Sequence, residues 1–444
     1  MASDLLSIGA SGTRAARSAL DVTAQNIANA STDGYIRRTA VMEEVAGASG
    51  FRKNDIALSG VRVAGVNRNA DMFRQAEVRR TNSDAARGST ELNGLSDIES
   101  AVEQADVYSA IVDFEGALKQ LGQDPVDPSL RAATLAAADT LASKFNIAAN
   151  SLDAVGQGEQ FDASAEVDQA NVLAGELARI NQRLARAGAG STDQASLLDQ
   201  RDLMLEKLSG ITNISTTFAT DGTVTVKVGS STGPALVNGG NATSLAMTTA
   251  ADGTLSFDVG GTAAAVSGGS LAGHALTLQE VATFRGKLDT LAVNIADAVN
   301  TAQAAGVDLD GATGAPLFTG TTAATMTLAT TDGRAIATAP AGAAAGSRDA
   351  SNLTTLSSAL DTGGAANRMN SLLFDISSRV SGRQVTSEAL NSIADAARST
   401  LQQQSGVDLD QEAANLIRFQ QAFQASGRAM QVATDIFDTL IGIG

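Results

Sequence analysis

The chain has 444 residues, 43% of them hydrophobic and only 3% aromatic, with no cysteine and a net charge of −17. That length and apolar content exclude a wholly disordered chain and leave room for roughly two to four domains, while the lack of cysteine excludes disulfides, thiolate metal sites and cysteine nucleophiles. The charge is uneven: residues 1–90 hold 12 basic and 9 acidic side chains and the remainder 19 and 39, so an acidic body argues against nucleic acid or an anionic membrane as a partner.

Residues 3–30 read as a helix with a narrow apolar seam. Leu6, Leu20 and Ile27 stand at heptad spacing with Thr13 between them, and Ala16 and Ala30 lie on the companion row. The run ends in NIANASTDGY. Asn26 and Asn29 fall in the last turns, where their side chains can bond carbonyls left without intrahelical donors. Asp33-Gly34 turns the chain, Gly34 taking φ > 0 at little cost. Tyr35, one of only two tyrosines, begins an extended segment and can bury its ring while its hydroxyl finds a polar partner.

Residues 36–70 read as extended segments broken by glycines, and 72–122 are helical in pattern. Pro125 and Pro128 punctuate a loop. Helical periodicity returns through 129–154 and again through 165–209. At 211 the composition changes to short β-branched runs separated by TDG, STG, NGG and ADG, a β-rich insertion over 211–275. Helix is predicted over 276–304, hairpins or loops over 311–350, and helix over 351–360 and 367–405. The last segment, 407–441, carries the strongest seam: Leu409, Leu416, Phe423, Met430 and Phe437 recur every seven residues, with Phe419, Ala433 and Leu440 on a second row. A seam this long asks for a helical partner. Chain ends are usually frayed; these look built to pack.

Short matches to catalytic or ligand motifs fail on context. GSSTG at 229–233 lies between two strand-like runs, whereas a nucleophile elbow needs strand then helix. His274, the only histidine, leads a helix without a metal-ligand companion and reads as a packed or solvated residue. In GVDLDGATG (306–314) the place of a calcium loop's bidentate glutamate falls on Thr319. RGKL at 285–288 lacks the glycine spacing and hydroxyl of a phosphate loop. No apolar run is long enough to span a membrane and no cleaved signal is visible. The residues point to no catalytic site, metal or cofactor, and no enzyme is expected.

AQNIANASTDGYIRR (24–38) resembles the N-terminal signature of bacterial flagellar axial proteins, and AANLIRFQQAFQASGRAMQVATDIFDTLI (413–441) their C-terminal one. The interior segments 124–153, 178–215 and 284–318 are similar to the hook-associated protein 1, or FlgK, family, in order along nearly the whole chain. Asp33 stands where relatives often carry proline. The resemblance implies a mainly helical fold with a β-rich insertion, in which the two terminal helices pair as a coiled coil. Its domains would be a terminal inner domain (1–32 and 406–444), a mainly helical middle domain (33–210 and 276–405) and a small β-rich outer domain (211–275). It implies a structural, self-assembling protein of the hook–filament junction, in contact with itself, hook protein and hook-associated protein 3. Export would use a chaperone and the flagellar type III apparatus, giving an extracellular location with no membrane or nucleic-acid partner. Leu6, Leu20, Ile27, Leu416, Phe419, Phe423, Met430, Phe437 and Leu440 would pack the inner tube. Asn26, Asn29, Asp33, Gly34 and Tyr35 would form the elbow between tube and body. The alternative within the same superfamily is a hook or distal rod protein.

Overall fold

The computed structural model describes residues 2–46 and 58–442. The fold is mainly helical with small antiparallel sheets. The first helix, α1 (Ala2–Ala28), is followed by a long hairpin of β1 (Arg38–Ala46) and β2 (Leu58–Arg68) that packs back on it. The chain then enters α2 (Met72–Ala105), whose start is fixed by Asp71: its carboxylate accepts from the free amides of Phe73 and Arg74.

The helix expected over 72–122 is two helices. Asp106 adopts a left-handed conformation (φ 55°) and separates α2 from α3 (Val107–Leu121). No glycine or proline marks the break, so helical pattern alone runs through it. The opposite correction applies further on. The pattern predicts a gap at 155–164, yet α4 (Pro128–Leu184) is continuous through Gly156 and Gly158. Gly156 is buried with Val281 and Leu278 beside it. Packing on the facing helix here outweighs the glycine penalty of about 1 kcal/mol. Asp127 caps this helix, with Pro128 in its first turn where a missing amide costs little.

After α5 (Thr192–Ile211) come β3 (Ile214–Phe218), β4 (Val224–Val228), β5 (Ala235–Asn238) and β6 (Asn241–Ala242), an antiparallel meander. A second sheet holds β7 (Leu245–Thr249), β8 (Leu255–Val259) and β9 (Thr262–Ala263). Two asparagines of α4 act as backbone surrogates for these strands. Asn181 donates to Val224 O and accepts from Val224 N, at 2.8 and 2.9 Å; Asn171 does the same for Leu245. Leucines and alanines of α4 and α5 close over Val224, Val226, Val228 and Val237 in one apolar core.

The chain returns through α6 (Ser270–Ala305), which begins earlier than the predicted 276. The following loops hold two minimal ladders, β10 (Gly306–Val307) with β13 (Ala339–Pro340) and β11 (Phe318–Thr319) with β12 (Thr327–Leu328). They are pinned to α4 by the fully buried Arg131, whose guanidinium donates to Pro125 O, Gly333 O, Ile336 O and Thr338 Oγ1 at 2.6–2.9 Å. Helices α7 (Ser351–Gly363) and α8 (Ala365–Ser405) complete a larger core with α2, α3, α4 and α6, centred on Phe114, Phe145, Phe284 and Phe318. The final helix, α9 (Leu409–Gly442), returns to α1.

Candidate assembly surface and elbow

The two terminal helices lie antiparallel. Gly9 approaches Met430, Gly12 approaches Ser426, and Asn26 reaches Glu412, so residues climbing α1 meet residues descending α9. A Cβ on Gly9 would come within 2.6 Å of Met430 Cγ, and one on Gly12 within 2.7 Å of Ser426 Oγ. Glycine therefore sets the helix separation. The buried residues on these helices are mostly small: Ala15, Ala16, Ala19 and Val22 on α1 and Ala433 on α9.

The large apolar side chains predicted as seam residues fall differently. Leu20, Leu416, Phe419 and Met430 are half-buried. Leu6, Ile27, Phe423 and Phe437 are exposed, Phe423 by 39% and Phe437 by 49%. The side chain of Leu440 lies outside the described residues. Leu5, Ile417, Val432 and Ile436 add to the exposed apolar surface. The pair thus closes on its small residues and leaves a substantial apolar surface uncovered.

The elbow residues converge. Asn26 is 1% exposed, and its four hydrogen-bonding positions are all used. Its amide donates to Arg38 O (2.8 Å) and Glu412 Oε2 (3.1 Å), and its oxygen accepts from Arg38 N (3.0 Å) and the Tyr35 hydroxyl (2.8 Å). The expectation that it bonds its own helix end is corrected: it ties α1 to β1 and α9. Asn29 does bond back to its helix, donating to Gln25 O at 2.9 Å. Gly34 sits at φ 74°, with Leu203 Cβ 3.2 Å from where its own Cβ would be. Asp33 is exposed in the turn before Tyr35, whose half-buried ring lies under the Arg38 guanidinium at 4.9 Å. Burial, helped by the charges of Asp199 and Glu412 and opposed by that of Arg38, pushes the Tyr35 hydroxyl pKa up, so it stays protonated and a donor.

Around this node stands a charged network that motif reading missed. Arg37 Nε pairs with Glu412 at 2.7 Å, Arg38 with Asp199 at 2.6 Å, and Arg68 bridges Asp199 and Asp202, both at 2.8 Å. Arg201 pairs with Asp202 and stacks on Phe218, 4.5 Å from its ring centre. Burial pushes the Asp202 carboxyl up, but the guanidiniums of Arg201 and Arg68 more than reverse it, so its pKa lies below the ordinary 3.8. Asp199 goes the other way: burial outweighs Arg68 and Arg38 and raises it. The backbone adds Arg37 N to Ser405 O and Asn69 N to Arg37 O, both at 2.9 Å. The terminal pair is thereby fastened to α5 and to the end of α8. Beside the elbow opens a cavity of about 610 Å³, lined by residues that include Asp33, Tyr35, Arg79, Glu206 and Arg398. Among the described residues no group of three or more His, Cys, Asp or Glu side chains gathers to hold a metal, and no helix is long and apolar enough to cross a membrane.

The chain's ends place it among flagellar axial proteins. Residues 6–35 match the family described as flagella basal body rod protein, and 399–443 the flagellar basal body rod FlgEFG protein C-terminal family. Residues 92–318, half of the chain, match the flagellar hook-associated protein FlgK helical domain. This chain belongs to the flagellar hook-associated protein 1 (FlgK) family, a family of flagellar structural proteins. It is 26% identical to flagellar hook-associated protein 1 of Escherichia coli K12, over 99% of this chain and all of the relative. It is equally identical to that of Bacillus subtilis 168, over 97% and 96%. The first alignment runs over 554 positions, so that relative carries segments this chain lacks. The fold is similar to the flagellar hook junction protein FlgK from Burkholderia pseudomallei: TM-score 0.65, 16% identity, covering 73% of this chain and 99% of the other.

Proposed function

We propose that this chain is a structural protein of the hook–filament junction, assembling with copies of itself on the distal end of the hook and connecting the hook to the filament. The observation that carries the reading is the terminal helix pair, closed by small residues and leaving Leu6, Ile27, Phe423 and Phe437 outward. Residues 1–32 and 406–444 then form the inner domain, paired as a coiled coil. In a tube the exposed side chains pack against neighbouring copies, together with Leu20, Leu416, Phe419, Met430 and Leu440. Each large side chain so buried contributes about 1.5–3 kcal/mol, and repetition around a head-to-tail lattice makes the assembly durable. The elbow sets the angle between this pair and the mainly helical middle domain, which carries the β-rich outer domain between the end of α5 and the start of α6. Partners on this reading are hook protein, hook-associated protein 3, and the chaperone and type III apparatus that export the chain. The likeness in fold to the flagellar hook junction protein of Burkholderia pseudomallei supports it.

A deletion strain tests the reading. Hooks without filaments, with flagellin shed into the medium, are the expected outcome. Absent hooks contradict it and assign the chain to the hook or distal rod.

A further inference from the structure

Where the β-rich region rejoins the helical body, the chain's only histidine lies buried between two helices. His274, in the second turn of α6, is 7% exposed. Its Nδ1 lies 2.5 Å from Glu159 Oε2 and its Nε2 3.7 Å from Glu166 Oε2, both on α4. Glu166 also accepts from the Ser270 hydroxyl, the first residue of α6. Also packed on α6 are α2, which meets it at Gly273 through Thr90 and the Arg87 carbonyl, and α5 and β8, whose Glu206 and Asp258 are engaged elsewhere, with Arg398 and with Gly261 N. The Arg87 guanidinium turns instead toward Ser267 O. The charges that act on the imidazole are those of Glu159 and Glu166.

This junction is where the β-rich region rejoins the helical body. The outgoing strand leaves at Thr212 and Asn213 and the returning chain passes beside it, Asn213 N donating to Gly268 O and Ser267 N donating to Asn213 Oδ1. Leu271 is buried in the β-region core, and the same α4 segment supports the strands through Gln160 and Asn171. We propose that His274, as an imidazolium bridging Glu159 and Glu166, is a protonation-dependent clamp that seats the β-rich region on α4, and that its deprotonation releases the first turns of α6. A neutral imidazole donates through one nitrogen only. Glu166 then faces a lone pair, and two carboxylates stand on one side of α4 without a cation between them.

The direction of the pH dependence follows from the partners. Burial alone would lower the imidazole pKa, but the short contact to Glu159 and the negative charges of Glu159 and Glu166 outweigh it and raise it from 6.5 to about 9. A folded-state pKa above the unfolded one gives stabilisation that is complete below 6.5 and lost as pH rises through about 9. The clamp is closed at neutral pH and opens in alkali.

A chain without an affinity tag gives a single histidine Hε1 resonance, which can be titrated by NMR beside amide-exchange protection factors for residues 214–277. The expected midpoint lies well above 6.5, protection over β3–β9 and Ser270–Thr277 falls through the same transition, and Glu159→Gln lowers the midpoint. His274→Gln is expected to reduce that protection more than tenfold at pH 7 while leaving α2, α3 and α8 protected. A midpoint at or below 6.5, or protection unchanged across the titration, overturns the proposal.

Discussion

Asn26 and Glu412 stand 386 residues apart in the chain and meet at 3.1 Å. Glu412 is 1% exposed, and its other oxygen takes the Arg37 guanidinium at 2.7 Å. One carboxylate thus joins the first helix, the elbow and the last helix. Glu412→Ala leaves a guanidinium and an amide donor short of partners. It is expected to destabilise the chain by about 3 kcal/mol in denaturant unfolding. Tyr35→Phe, which removes one neutral hydrogen bond to Asn26, is expected to cost about 1 kcal/mol.

Gly34 takes a left-handed conformation in the elbow turn, beside Leu203. At φ 74° a side chain is strained, and its Cβ would press on Leu203. Gly34→Val is expected to lower stability by about 2 kcal/mol, read as a lowered melting temperature, whereas Asp33→Ala, exposed in the same turn, should change it little.

Asp202 gives the elbow an acid dependence. With its folded pKa held below 3.8 by Arg201 and Arg68 against burial, its contribution is complete above 3.8 and disappears as pH falls through the depressed value. Asp202→Asn is expected to be less stable at pH 7 by about 3 kcal/mol. Its stability should also depend less on pH below 3.8 than that of the parent chain. Parallel stability curves for the two chains in that range would contradict the assignment.

The terminal pairing can be read covalently, because the chain contains no cysteine. A Cβ on Gly12 lies 3.4 Å from Ser426 Cβ, close to the separation of about 3.8 Å that a disulfide spans. The double variant Gly12→Cys, Ser426→Cys is expected to form an intramolecular disulfide on mild oxidation in dilute solution. Each single variant should remain monomeric and reducible without a shift in mobility.

The terminal helices themselves were legible because helical periodicity survives in one dimension, but the heptad rows did not mark which side chains close the pair: Leu6, Ile27, Phe423 and Phe437 are exposed while Ala15, Ala16, Ala19 and Ala433 are buried. The change to strands after 211 was legible because β-branched runs and glycine turns are local signals. Asp106 was not, since an αL residue between two good helices leaves no mark in pattern. The continuity of α4 through Gly156 was hidden because it depends on packing beside Val281 and Leu278. The elbow residues Asn26, Gly34 and Tyr35 stood out as a turn, but the partners of Asn26 did not, being far away in the chain. One signal was available. Glu412 occupies the seam row of Phe419, Ala433 and Leu440 at heptad spacing, and a charge on an apolar row asks for a buried partner. The buried polar partners of Arg131, Asp199 and Asp202 carry no comparable mark.

The exposed apolar face of the terminal helices is central to the proposed assembly, and Phe423→Asp tests it most directly. The substitution changes an exposed side chain, so the purified variant should keep the parent's circular dichroism and melting temperature. Expressed in the deletion strain, it should be exported yet leave hooks bare, with flagellin in the medium. Normal filaments on those hooks, from a variant that folds and is exported, would contradict the central claim.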